Sequence, residues 1–135
     1  MSAPVIDLAG LTKLYGPTIG IRDLTLSIGP GEVFGFLGPN GAGKTTTIRL
    51  LLDLIRPTGG SARLFGMPSG NPAARARTGY LPGDLRLDPR LTAEQTMDFF
   101  ARLRRAPRAA SRSSRREEIC ARLGLGDEDR RRLVR

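Results

Sequence analysis

The sequence predicts an α/β fold in which a strand, a glycine-rich loop and a helix follow one another directly. Three observations predict it. Residues 33–37, VFGFL, are a short apolar run without alternation, the pattern of a strand buried in a parallel sheet. Residues 38–45, GPNGAGKT, follow at once and match the spacing G-x-x-x-x-G-K-[ST]. From Thr45 to Leu54, Ile48, Leu51 and Leu52, with Ile55 just beyond, recur at helical spacing.

Earlier elements support this frame. Val5–Leu8 and Leu11–Tyr15 read as short β segments around a turn at Gly10. Residues 22–28, RDLTLSI, alternate polar and apolar, with Leu24, Leu26 and Ile28 on one face of a half-buried strand. GPGE at 29–32 is a turn by composition. After the helix, RPTGG at 56–60 is a breaker and SARLFG at 61–66 a further short strand. A brief helix is expected over 72–77 and a strand end over Gly79–Leu81.

The last third reads differently. PGDLRLDPR at 82–90 is loop. Thr92 with Gln95 three residues on forms a capping box, opening a helix to about Arg105 with Met97, Phe100 and Leu103 on one face. APRAASRSS at 106–114 reads as a low-complexity, mobile linker, followed by helix over about 115–123 and a last turn or two within 127–134. The expected organisation is a partial α/β core over 1–91 and a helical, Arg-rich part over 92–135.

Residues 38–45 are where chemistry is expected. A tight wrap lets successive backbone N–H groups point inward at phosphate oxygens, and glycine permits the dihedrals and the close approach. The helix that follows offers the positive end of its dipole. Lys44 brings a point charge to the β- and γ-phosphates, and Thr45 a hydroxyl where Mg²⁺ takes an oxygen ligand. Lysine fits this role better than the planar guanidinium the chain uses elsewhere: of 22 basic residues only Lys13 and Lys44 are lysine. The competing reading is a glycine-rich turn without a ligand.

Composition narrows the class. At 135 residues, 39% hydrophobic and 26% charged, the chain reads as one soluble globular domain, and no apolar run approaches the ~18 residues of a membrane span. MSAPVIDLAG shows no secretory signal, and a single cysteine, Cys120, forms no internal disulfide; the cytoplasm is expected. The net charge of +9 is uneven. Residues 1–100 carry 10 basic and 8 acidic side chains, whereas 101–135 carry 12 arginines and 5 acids. A basic tail of this kind is either a nucleic-acid or anionic-lipid footprint or a solvated helical face. No aromatic is interleaved with the arginines, which weighs against nucleic acid.

The segments LTKLYG, LTLSIGPGEVFGFLGPNGAGKTTTIRLLLDLIRPTGGSARLFG and GYLPG closely resemble the ATP-binding subunit of ABC transporters, from about Val5 to Leu103. Within that family the chain looks most like bacterial exporter-type subunits. The resemblance implies a P-loop NTPase core with a small antiparallel β-subdomain that includes 11–28, truncated at the start of a helical subdomain. It implies ATP and Mg²⁺ as cofactors, held by Gly38, Pro39, Asn40, Gly41, Ala42, Gly43, Lys44, Thr45 and Thr46, with Thr45 on the metal. It gives Tyr15 the adenine, for which a ring supplies a flat apolar face; ordinary strand packing is the alternative. It implies a membrane permease and a second ATP-binding subunit as partners, at the inner face of the plasma membrane, with nucleic acid not expected.

This sequence departs from the family pattern in what would cut the phosphate bond. After GYLP the family has Gln, facing metal and attacking water; here stand Gly83 and then Asp84, which either substitutes as an oxygen ligand or lies in a plain flexible loop. TGGS at 58–61 and PSGN at 68–71 precede that loop, the wrong order for an ABC signature, and read as turns. LLLD at 50–53 lies on the helix after the loop, and LGLGDE at 123–128 is broken by glycines, so neither reads as a Walker B strand. There is no histidine. Weak ATP binding with negligible hydrolysis is therefore expected, from a marginally stable chain whose 33–37 strand has an unpaired edge. The alternatives are a non-enzymatic fragment that binds a permease or a full-length subunit, and a truncated product without function.

Overall fold

The computed structural model describes residues 3–103 and 109–133, and of residues 109–113 the backbone only. The described residues fall into two compact units, Met1–Tyr80 and Leu81–Arg135.

The first unit is built on a four-stranded antiparallel sheet. Its strands are β1 (Ile6–Tyr15), β2 (Thr18–Ile28), then, after helix α1 (Lys44–Leu51), β3 (Gly59–Leu64) and β4 (Met67–Pro68), in the order β2-β1-β3-β4. Helix α2 (Pro72–Ala76) closes the unit; Asn71 caps it by accepting from the Ala73 N–H at 2.9 Å. The sheet is thus wider than the antiparallel part expected from the sequence.

Gly10 is not a turn between two segments. β1 runs straight through it, and its register to β2 shifts between Leu8 and Leu11. Both leucines are buried, at 1% and 0% exposure. Residues three apart share a sheet face only if one extra residue is bulged out. Gly10, at φ 55°, absorbs it. Side chains replace the ladder bonds lost there: the Gly10 N–H donates to Thr25 Oγ1 at 3.0 Å, and the Asp23 N–H to Thr12 Oγ1 at 3.0 Å.

α1 lies on the face this bulge creates. Leu50 is 2% exposed and joins Leu8, Leu11, Ile21 and Ala62 in the core, with Leu24, Leu26, Leu51 and Ile55 packed at its edge. Burying each of the fully buried leucines, Leu8, Leu11 and Leu50, contributes about 1.5–3 kcal/mol. The half-buried positions Leu24, Leu26 and Ile28 share one face of β2, as their alternation predicts. The helix ends three residues short of the expected Leu54. Asp53, at φ 57°, lies beyond it and pairs with Arg75 at 3.0 Å.

Residues 33–37 are the largest departure from the sequence reading. They form no strand, Val33 and Leu37 are essentially fully exposed, and none of the described strands pairs with them. An apolar run without alternation is suited to cover on both faces, and here it has cover on one. Phe36, half-buried, and Phe34, still 47% exposed, border an apolar cavity of about 370 Å³ that Leu8, Leu26, Ile48 and Leu51 also line. Gly79–Leu81 likewise form no strand, and TGGS enters β3 at Gly59 rather than making a turn throughout.

The second unit holds helices α3 (Ala93–Leu103), α4 (Ala109–Arg122) and α5 (Asp127–Arg131). The capping box is present in both directions: the Gln95 N–H donates to Thr92 Oγ1 at 3.2 Å, and the Thr92 N–H to Gln95 Oε1 at 2.9 Å. α4 begins inside the segment read as a linker. Residues 109–114 are helical, and residues 106–108 of that segment lie outside the described residues. Ala and Arg are strong helix formers, and their propensity outweighs the serines. Arg116 of α4 pairs with Asp98 at 2.7 Å and Glu94 at 3.4 Å, both on α3. The expected apolar face of α3 is only partly covered, with Phe100 and Leu103 exposed. In the preceding loop Arg90 forks onto Asp88 through Nε and Nη2 at 3.0 and 2.8 Å, which lowers the Asp88 pKa to about 2. No described helix is long and apolar enough to cross a membrane.

Candidate nucleotide site

The glycine-rich loop leads straight into α1, and packing dictates how. Gly43, the residue before the helix, has φ 88°, in the left-handed region. A Cβ placed on it would lie 2.2 Å from Ile21 Cγ2 and 2.7 Å from the Gly20 carbonyl oxygen. The loop therefore rests directly on the backbone of β2, and only glycine permits both the dihedral and the approach. The rest of the loop turns outward. Gly38, Pro39, Asn40, Gly41 and Ala42 are exposed, and the Ala42 N–H closes a turn on the Pro39 carbonyl at 3.2 Å.

Electrostatics converge on the same spot. α1 opens without a side-chain cap, and its first intrahelical bond runs from the Thr47 N–H to the Gly43 carbonyl at 2.9 Å. Helix geometry leaves the N–H groups of Lys44, Thr45 and Thr46 without intrahelical acceptors, at the positive end of the helix dipole. Lys44 Nζ curls back into the loop and donates to the carbonyls of Gly38 and Pro39 at 2.5 and 2.8 Å. A cation, a helix N-terminus and a tight loop in one place make an anion-binding cradle.

The three threonines differ in what their hydroxyls can do. Thr47 is buried and spends its hydroxyl on the Gly43 carbonyl at 3.0 Å. Thr46 is half-buried, with its methyl toward Gly20. Thr45 is exposed in the first turn, so its hydroxyl is open to a cation bound beside phosphate. The donor set suits Mg²⁺, a hard ion that takes one or two protein oxygens and fills its remaining positions with phosphate and water.

Tyr15 ends β1 at 46% exposure. Its ring borders Gly20, and so does the Thr46 methyl, which puts the ring and the first turn of α1 beside the same glycine. The structure thus brings Tyr15 and the phosphate loop together in the first unit. Gly83 and Asp84 belong to the second unit, in an exposed turn; a Cβ on Gly83 would meet nothing. Sequence reasoning does not single out Gly20 or Lys13, which stands beside the Tyr15 ring. For Lys13 the available signal was its rarity, as one of two lysines.

The sequence matches the family described as ABC transporter over residues 21–135, most of the chain. The chain belongs to the ABC transporter family. Among its relatives within that family, it is 45% identical over 100 residues to a Nod factor export ATP-binding protein I of Cupriavidus pinatubonensis, covering 73% of this chain and 31% of the relative. It is 40% identical over 113 residues to the Ralstonia nicotianae protein of the same name, covering 82% and 35%. The chain therefore spans about a third of the length of these relatives. Solved structures agree on the ABC fold. An ATP-binding subunit of an ABC transporter superposes with a TM-score of 0.80 at 24% identity, over 96% of this chain and 54% of that one. A dimeric ATP-binding cassette in a post-hydrolysis state with ADP and Pi gives 0.75 at 22%, over 95% and 61%. The resemblance read from the sequence and the α/β ABC ATPase fold are both borne out.

Proposed function

We propose that this chain binds Mg·ATP through residues Gly38–Thr46, as the nucleotide-holding part of the ATP-binding subunit of an export-type ABC transporter. The observation behind this reading is the loop resting on β2 at Gly43, which aims an uncapped helix N-terminus and the Lys44 ammonium at one point. Backbone N–H groups of the loop bind the phosphates. Lys44 exchanges its two carbonyl acceptors for phosphate oxygens, Thr45 offers its hydroxyl to the metal, and Tyr15 stacks on the base. When bound, Mg²⁺ neutralises charge on the β- and γ-phosphates. The names of the relatives favour export; a membrane permease, a second ATP-binding subunit and a place at the membrane's inner face belong to the same proposal.

The test is nucleotide binding measured with a fluorescent ATP analogue. Lys44→Ala is expected to weaken binding at least tenfold, the order of a charge-assisted contact worth about 1.5–3 kcal/mol. Its melting temperature should stay close to that of the parent, because the lost contacts are exposed. Steady-state hydrolysis should be negligible. Robust turnover by the purified chain that Lys44→Ala abolishes would contradict the hydrolysis claim, and equal binding by both proteins would contradict the site.

A further inference from the structure

We propose that Lys13 and Gly20 are positioning residues that hold the Tyr15 ring as a shelf for the nucleobase and tie that shelf to the phosphate loop. The proposal rests on the nucleotide reading above and adds two residues to it. Residues 13 and 15 project from the same face of β1, and Lys13 Nζ stands 5.2 Å from the Tyr15 ring centroid. The ammonium is fixed from the other side, donating to the Arg56 carbonyl at 2.7 Å. The strand end is fixed by the same stretch of chain: the Leu14 N–H donates to Thr58 Oγ1 at 3.1 Å, and the Thr58 N–H to the Thr12 carbonyl at 2.9 Å.

Gly20 completes the support. The register steps from Lys13 opposite Ile21 to Leu14 opposite Ile19, which leaves Gly20 as the extra residue of a bulge. A Cβ on it would lie 2.8 Å from Tyr15 Cε2 and 3.3 Å from Thr46 Cγ2. The bare Cα lets the ring settle against the strand beside the first turn of α1. The choice of lysine has a physical reason. In a chain whose other cations beyond Lys44 are all arginine, the compact ammonium at 13 stands over the ring while it donates to the Arg56 carbonyl, and the larger planar guanidinium would not reproduce both contacts.

The experiment compares the affinities of the full chain for Mg·ATP and for inorganic triphosphate, whose ratio isolates the nucleoside, and the Tyr15 dependence of that ratio isolates the base. A Tyr80→Phe background makes Tyr15 the only tyrosine, in a chain without tryptophan, so that its fluorescence reports stacking. Lys13→Met and Gly20→Ala are expected to lower the ATP-to-triphosphate preference roughly threefold to tenfold, the order of an aromatic or cation–π contact, while triphosphate binding by Lys13→Met stays as in the parent. Lys13→Arg should not restore the preference. In a Tyr15→Ala background neither substitution should lower it further. ATP should quench Tyr15 in the parent and do so less in both variants. An unchanged preference in Lys13→Met and Gly20→Ala, or an equal loss with and without Tyr15, overturns the proposal while leaving the phosphate site standing. A parent chain that binds triphosphate but shows no preference for ATP overturns both this proposal and the role of Tyr15.

Discussion

Replacing Gly43 with alanine is expected to abolish nucleotide binding and to destabilise the first unit on the order of 4 kcal/mol, at the upper end for single substitutions. Two costs add. A left-handed dihedral at a residue with a Cβ costs about 1–3 kcal/mol. The new methyl also falls 2.2 Å from Ile21 Cγ2 and 2.7 Å from a backbone oxygen, so relief requires moving α1 off β2. That movement uncovers Leu50, which α1 contributes to the core. Against a typical stability of about 5–15 kcal/mol, a loss of this size is decisive in a small unit. Urea unfolding followed by circular dichroism measures it. Gly41→Ala is the comparison: Gly41 has nearly the same φ, 87°, but no heavy atom near its Cβ position, so only the dihedral cost should appear.

Gly60→Ala is expected to be as damaging, although it lies outside the nucleotide site. Gly60 has φ 72°, and a Cβ there would lie 2.2 Å from the Gly10 carbonyl oxygen and 2.6 Å from that of Ala9. Both atoms are backbone, so no side-chain rotation relieves the overlap. The contact holds β3 against the bulge that turns Leu8 and Leu11 to the same face. Without it the register of β1 is free to slip, and a slip of one residue moves core side chains into water. A loss on the order of 4 kcal/mol in the same urea measurement is expected. Where the variant remains folded, triphosphate affinity should be near normal, which separates it from Gly43→Ala.

The phosphate loop and α1 were legible because their chemistry is local: glycines, a lysine and a helical apolar repeat lie within twenty residues. The capping box was legible for the same reason. The bulge was written in the sequence as well, in the three-residue spacing of Leu8 and Leu11, but a glycine at positive φ punctuates turns and bulges alike. The exposure of residues 33–37 could not be read from the run itself. Apolar composition states a preference for burial, and whether cover exists depends on segments far away in the chain. For residues 109–114 the serines suggested a linker, and the helix propensity of Ala and Arg decided otherwise. Tyr15 came from family resemblance. Its neighbours Lys13 and Gly20 emerged only once the strand register placed them beside its ring.

The central claim is that residues 38–46 hold the phosphates of ATP while Tyr15 meets the base. It is tested most directly by titrating Mg·ATP into the isotopically labelled chain and following each backbone amide by nuclear magnetic resonance. The account predicts saturable shifts that are largest at Gly41, Gly43, Lys44, Thr45 and Thr46, a smaller group at Tyr15 and Gly20, and loss of both in Lys44→Ala. Shifts confined to the arginine-rich residues 115–132, abolished by moderate salt and unchanged in Lys44→Ala, would contradict it.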